Sequence, residues 1–189
     1  MKVLDVGCGE NKLVGNEGDV VIGLDQLQIE GVDVVFDLEQ KTRLPFNDDE
    51  FDLIHCWAIL EHLNNVVFVV KELSRVCKPS GLIRVMVPHF ASKDAFSSPF
   101  HVRFFSFNSF NPLFYGNCFE LVRARFTFNK LFFVASWFAN AFPGTYEKFF
   151  LFWFPPGGLL FELKPVAGGC VEGGVAAFGG GKEGETKKT

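Results

Sequence analysis

Short runs of branched and aliphatic residues recur along the first half of the chain, separated by polar and glycine-containing segments. "KVLDV" (2–6), "DVVIGLD" (19–25), "VDVVFDL" (32–38), "FDLIHCW" (51–57) and "LIRVMVP" (82–88) have the length and β-branched content of buried strands. From 61 to 76, Leu63, Val66, Val67, Val70, Leu73 and Val76 recur mostly three or four positions apart, which predicts an amphipathic helix ended by Pro79-Ser80-Gly81. A short helix is expected from about Asn11. In the second half, "FELVRARFTF" (119–128) alternates as a strand and "LLFELKPV" (159–166) reads as the last one. Strands alternating with helices indicate βαβ units. The expected fold is therefore α/β: a Rossmann-like, doubly wound, mostly parallel seven-stranded sheet with helices on both faces and the last strand antiparallel. No repeat of fixed period is present.

Two stretches break the pattern. Of the 25 phenylalanines, 20 fall between Phe90 and Phe161, and from Leu131 to Phe161 the charged residues are Glu147 and Lys148. "LFFVASWFANAF" (131–142) and "FFLFWF" (149–154) are each shorter than the roughly 18 apolar residues that a membrane-spanning helix needs, and Pro143-Gly144 separates them. This aromatic-rich insertion, 130–158, has three readings: helices packed over the sheet, the lid of a hydrophobic acceptor pocket, or an interfacial membrane patch. The tail from Gly168 to Thr189 is glycine-rich and then charged. It lacks the apolar surface to offset its ordering entropy, so flexibility is expected there. Residues 1–167 form the one domain that a chain of 189 residues suggests.

The formal net charge is −4 and no long basic run occurs, so a nucleic-acid partner is not expected. Cys8, Cys56, Cys77, Cys118 and Cys170 are scattered without a CxxC pair. That spacing suggests neither a metal site nor a disulfide framework, and the five are expected as reduced thiols of a cytoplasmic protein. The first residues read as a strand rather than as the apolar core of a secretory signal. Nothing in the pattern specifies an oligomeric state.

Chemistry concentrates where strand 1 runs into Gly7-Cys8-Gly9. A glycine turn there sits at the carboxyl edge of the sheet, where open α/β folds bind ligands. A dinucleotide fingerprint would place glycine at position 12, which is Lys12, and a pyrophosphate would be repelled by Asp5 and Glu10. The acidic flanks suit instead a cofactor with an ammonium and a sulfonium, as in S-adenosyl-L-methionine. Asp25, 20 residues beyond Asp5 at the tip of strand 2, is placed to accept both ribose hydroxyls. At the tip of strand 3, Asp37 and Leu38 suit the amine and the ring of an adenine. Each of these acids also has a plainer reading as a solvated turn residue.

"VLDVGCGENK", "GLD", "DLEQKTRLPFNDDEFDLIHCWAILEHL" and "ELSRVCKPSGLIRVMVPH" together resemble successive motifs of the class I S-adenosylmethionine-dependent methyltransferases, closest to the small-molecule (type 11-like) kind with "EHL" after strand 4. The resemblance covers about residues 2–90. It implies that Asp5, Gly7, Cys8 and Gly9 line the methionine part of the cofactor, Asp25 the ribose, Asp37 and Leu38 the adenine, and His55 and Cys56 the sulfonium. Asn11 stands where the family has its third glycine. The family's usual helices before strand 1 are not part of the resemblance, which leaves one side of the cleft less covered.

Methyl transfer from a sulfonium needs mainly proximity and alignment, and a base only where the acceptor must lose a proton. Candidates for that base are Glu61, His62, His89 and His101. Of these, His101 in the loop "SSPFHVRFFSF" and His89 at the end of strand 5 are preferred as catalytic, while Glu61 is read as meeting the dipole of the following helix. The expected function is S-adenosylmethionine-dependent methyl transfer to a small acceptor with an apolar body, the second half of the chain forming the acceptor wall. The alternatives are a catalytically silent cofactor- or partner-binding module of the same fold, and an NAD-dependent oxidoreductase, which Glu10 and Lys12 disfavour.

Overall fold

The structure is a computed structural model that describes residues 1–40, 42–168 and 170. Among the described residues seven strands form one sheet: β1 (Lys2–Val6), β2 (Val20–Asp25), β3 (Val34–Val35), β4 (Phe51–Trp57), β5 (Cys77–Pro88), β6 (Phe119–Thr127) and β7 (Gly158–Pro165). Their order is β3-β2-β1-β4-β5-β7-β6. All neighbours among the first five strands are parallel, and β7 runs antiparallel between β5 and β6, as expected. β1 and β4 are central and hydrogen-bonded on both sides, which is why their sequences read as nearly unbroken apolar runs. In β5, Ile83, Val85 and Val87 point inward, whereas Arg84 points outward and pairs with Glu162 of β7.

Helix α1 (Val66–Val76) buries Val66, Val69, Val70, Leu73 and Val76 against the face formed by Leu4, Ile54, Ile83 and Val85. It starts five residues later than the periodicity predicts. Leu60–His62 forms a short 3-10 turn, and Leu63 is extended (φ −99°, ψ 133°), so the helical pattern cannot run through it. It also passes directly into β5 at Cys77, and the residues expected to stop the helix lie within the strand. The helix expected from Asn11 does not form. The segment from Gly7 to Asp19 is irregular and is held to the sheet by the Leu13 amide, which donates to Asp5 (2.7 Å). β3 has two residues, and carboxylates accept backbone amides on either side of it: Asp33 from the Gly23 amide at 2.7 Å and Asp37 from the Glu39 amide at 2.9 Å.

The insertion between β6 and β7 forms α2 (Phe133–Ala141) and α3 (Pro143–Phe149). Tyr146 of α3 packs edge-on against Phe126 of β6, on the same face of the sheet as α1. The helical cover therefore lies mostly on that face. α2 also protects the free edge of β6. The Asn140 carboxamide accepts from the Phe126 amide (2.9 Å) and donates to the Phe126 carbonyl (3.1 Å), as a neighbouring strand would. Asn140→Ala leaves both groups unpaired and is expected to cost about 2 kcal/mol, a fall of ~4–8 °C in a thermal melt of a domain this size.

The expectation of five reduced thiols does not hold. Cys118 and Cys170 are joined as a disulfide across 52 residues, and Cys8, Cys56 and Cys77 remain free and buried. Linear spacing hides the pairing. The chain leaving β7 runs beside the start of β6, with the Val166 amide donating to the Cys118 carbonyl at 3.0 Å, and that brings Cys170 to Cys118. The flexible tail expected from 168 onward lies almost wholly outside the described residues. Among the described residues, no helix is long and apolar enough to cross a membrane.

Candidate functional site

β1 ends in a turn whose two glycines both adopt left-handed backbone, Gly7 at φ 69° and Gly9 at φ 51°. Glycine is favoured there because a Cβ is disfavoured at such angles. Gly7 is also crowded: a Cβ on it would lie 2.7–2.9 Å from the Ile59 side chain. The Gly7 amide donates to the Leu24 carbonyl at 2.8 Å, and the Gly9 amide donates to the Asp25 carboxylate at 3.0 Å. The turn is thus tied to the tip of β2, whose Asp25 also accepts from the Leu27 amide (3.0 Å). Each carboxylate oxygen has a further lone pair available for a ligand.

Beside this turn opens a cleft of about 600 Å³. Four of the expected cofactor residues line it: Gly7, Asp25, Asp37 and Leu38. Phe36, Ile59 and Leu63 give it apolar walls, and Pro99, Phe100 and Val102 close it from the loop after β5. Asp25, Asp37 and Glu39 are its charged lining residues, and among the described residues no lysine or arginine is on its walls. Lys12, which stands where a dinucleotide site would have glycine, is turned to Asp33 at 2.9 Å. Such a cleft repels a pyrophosphate and attracts a cationic ligand. Sequence reasoning did not single out Phe36, Ile59, Phe100 or Val102. Phe36 was legible as an aromatic at the tip of strand 3, but the others reach the cleft only through the path of their loops.

The remaining cofactor candidates stand beside the cleft or behind it. Asp5 is buried, with one oxygen accepting from Leu13 and the other 2.9 Å from His55 Nδ1. It organises the turn from below. His55, stacked on Trp57, lies on the sheet face opposite α1, and Cys56 is enclosed in the core, so neither reaches the cleft. Burial pushes the Cys56 thiol far up and also raises that of Cys8, aided by Asp5 and Asp25. Neither is a thiolate at neutral pH.

The two preferred histidines differ sharply. His89 is fully buried. Its Nδ1 accepts from the Ala91 amide (3.0 Å), so its Nε2 carries the proton toward Glu147 (3.1 Å). Burial pushes its pKa down against the opposing pull of Glu147, keeping the ring neutral. With both nitrogens occupied inside the protein, His89 is corrected from a candidate base to a structural link between β5 and α3. His101 does not line the cleft itself but stands against His62, which does. Its ring meets that of His62 edge-on at 4.6 Å, and Nδ1 faces the Ala95 carbonyl at 3.1 Å. The loop that carries it is clamped to the 3-10 turn, because the Val102 and Arg103 amides both donate to the Glu61 carbonyl (2.9 and 3.1 Å). Burial, then the neighbouring His101, lowers the pKa of His62, and burial raises that of the Glu61 carboxyl. Among the described residues, Glu61, His62 and His101 are the one set of three or more potential metal ligands within reach of one another.

The sheet order, the glycine turn and the acidic cleft define a class I methyltransferase architecture. A family model described as a methyltransferase domain matches residues 1–129, and the chain belongs to that family. The family uses S-adenosylmethionine. Among curated proteins, "Methyltransferase GfsG" of Streptomyces halstedii is 36% identical over 103 residues, which are 44% of this chain and 36% of that protein. A ubiquinone biosynthesis O-methyltransferase of Vibrio campbellii is 34% identical over 96 residues, 42% of this chain and 40% of the relative. The chain thus spans well under half the length of these relatives. Among solved structures, a SAM-dependent methyltransferase from Archaeoglobus fulgidus superimposes with a TM-score of 0.63 at 19% identity, covering 86% of this chain and 85% of that one. At that identity the likeness establishes the fold.

Proposed function

We propose that this chain is an S-adenosylmethionine-dependent methyltransferase acting on a small acceptor with an apolar body. The observation that carries the reading is the charge of the cleft: among the described residues, three carboxylates and no lysine or arginine line a pocket at the glycine turn. The adenosine would lie along Asp25, Asp37 and Leu38, and the charged methionine end would meet the turn at Gly7. The chain's own part in the reaction is to hold the methyl group in line with the acceptor and to exclude water. Phe100 and Val102 supply that exclusion. A screen of hydroxylated aromatic and isoprenoid-like acceptors for S-adenosylhomocysteine formation tests the reading. Tight cofactor binding without turnover on any acceptor would support the silent-module alternative.

The expected acceptor wall is smaller than the aromatic content suggested. Of residues 90–161, Pro99, Phe100 and Val102 line the cleft, while α2 and α3 enclose a separate apolar cavity of about 490 Å³. Around it Leu131, Phe133, Trp137, Phe152 and Trp153 are each at least 70% exposed. This surface supports a peripheral contact with membrane lipid, where an acceptor with an apolar body would reside. Phe152→Ser with Trp153→Ser is expected to reduce sedimentation with phosphatidylcholine vesicles at least fivefold and to leave cofactor affinity unchanged. Equal sedimentation of the variant would remove the membrane contact from the account.

A further inference from the structure

Glu61, His62 and His101 offer one carboxylate oxygen and two imidazole nitrogens, all within 4.8 Å of one another. The two rings are prepared alike. His62 Nδ1 lies 3.2 Å from the Phe100 carbonyl and His101 Nδ1 lies 3.1 Å from the Ala95 carbonyl. A carbonyl can only accept, so each Nδ1 carries the proton and each Nε2 keeps its lone pair. A histidine held by a backbone carbonyl through one nitrogen, with the other free, is oriented as metal-binding histidines are. The third member adds an independent sign. Glu61 is 1% exposed, and its Oε2 has no hydrogen-bond partner among the described residues. A buried carboxyl oxygen without a partner is unfavourable unless something outside the chain completes it.

We propose that Glu61, His62 and His101 bind a divalent transition-metal ion beside the cofactor cleft, and that the open side of this ion takes an oxygen of the methyl acceptor. Two histidines and one carboxylate are a donor set for zinc and its first-row neighbours that leaves coordination positions for another ligand. The placement gives that opening a use, since His62 also lines the cleft. An acceptor hydroxyl on the ion would release its proton to solvent more readily. The oxygen lone pair would then form the new bond to the methyl carbon while the carbon–sulfur bond breaks, its electron pair staying on the now neutral sulfur. This assignment rests on the methyltransferase reading and narrows it to acceptors methylated on oxygen. It also runs against the sequence expectation of no metal, because the ligands come from two segments about 40 residues apart that only the fold unites.

The test uses the full chain stripped with a chelator and titrated with cobalt(II), followed by visible absorption and calorimetry. One ion per chain is expected, with d–d bands of nitrogen–oxygen coordination. His101→Ala and Glu61→Gln should each weaken binding at least tenfold, and His55→Gln should bind as the parent does. Should His101→Ala lose its circular-dichroism signal, Glu61→Gln and His101→Gln carry the comparison. No cobalt binding, or equal binding by the Glu61 and His101 variants, overturns the site. Turnover of hydroxyl acceptors should fall at least tenfold in chelator and return with added metal, and unchanged turnover in chelator overturns its role toward the acceptor. S-adenosylmethionine affinity measured in chelator separates the two ideas: its retention with loss of the metal result sinks this inference alone, and its absence sinks the methyltransferase reading.

Discussion

Replacing Gly7 by valine is expected to abolish measurable S-adenosylmethionine binding. Three effects act together. Gly7 sits at φ 69°, a region that costs a β-branched residue on the order of 1–3 kcal/mol. Its new side chain would start 2.7–2.9 Å from Ile59, and relieving that overlap costs a further ~1–3 kcal/mol. The relief has one easy direction: Ile59 lines the cleft, so its displacement moves carbon into the space the cofactor needs. Calorimetry should show affinity lowered by at least about 100-fold, equivalent to roughly 2.7 kcal/mol. Thermal unfolding should show a folded but less stable protein. Near-parental binding would mean that the turn has no part in holding the cofactor. The clash with Ile59 differs from what the strand pattern suggests, which is a direct encounter between the new side chain and the methionine moiety.

Asp25→Ala is the second large effect. The carboxylate fastens the turn through the Gly9 amide and its own loop through the Leu27 amide. In the proposed complex it would also accept from the ribose. Hydrogen bonds to a charged group contribute about 1.5–3 kcal/mol each, so cofactor affinity should fall more than tenfold. Asp25→Asn keeps one acceptor oxygen and should fall between parent and alanine. An adenosine lacking the ribose hydroxyls, used as a competitor, should discriminate poorly between parent and Asp25→Ala. If instead Asp25→Ala binds S-adenosylmethionine as the parent does, the ribose lies elsewhere in the cleft.

The central strands were legible because their neighbours impose one local rule. β1, β2 and β4 are flanked by parallel partners, so burial selects apolar residues along their length, and their ends fall at or within one residue of the expected positions. β3 is shorter than its apolar pattern predicts: the Asp33 and Asp37 carboxylates accept backbone amides on either side of it. The start of α1 was misplaced because Leu63 fits a helical apolar stripe while adopting an extended backbone. In the site, Gly7, Asp25, Asp37 and Leu38 could be found from strand tips alone, since topology fixes where strand tips go. His55 and Cys56 could not be excluded by the same reasoning. A strand's last residues alternate between its two faces, and only the packed structure shows which face fronts the ligand. The pairing of Cys118 with Cys170, and the meeting of His62 with His101, depend on how separate segments return to one place.

The aromatic insertion teaches the opposite lesson. Helices packed over the sheet were one of its three readings, yet only Ala139, Tyr146, Leu151, Pro156 and Gly158 of residues 130–158 are well buried, and both tryptophans face outward. Composition alone cannot tell an interior from a surface that meets another apolar phase.

The most direct test of the account is calorimetric titration of the purified chain with S-adenosylmethionine and, separately, with NAD. The acidic cleft predicts saturable one-to-one binding of S-adenosylmethionine, weakened by added salt as expected for attraction between a cation and carboxylates, and no heat of binding with NAD. Binding of NAD with comparable affinity, or no binding of S-adenosylmethionine by a folded chain, would contradict it.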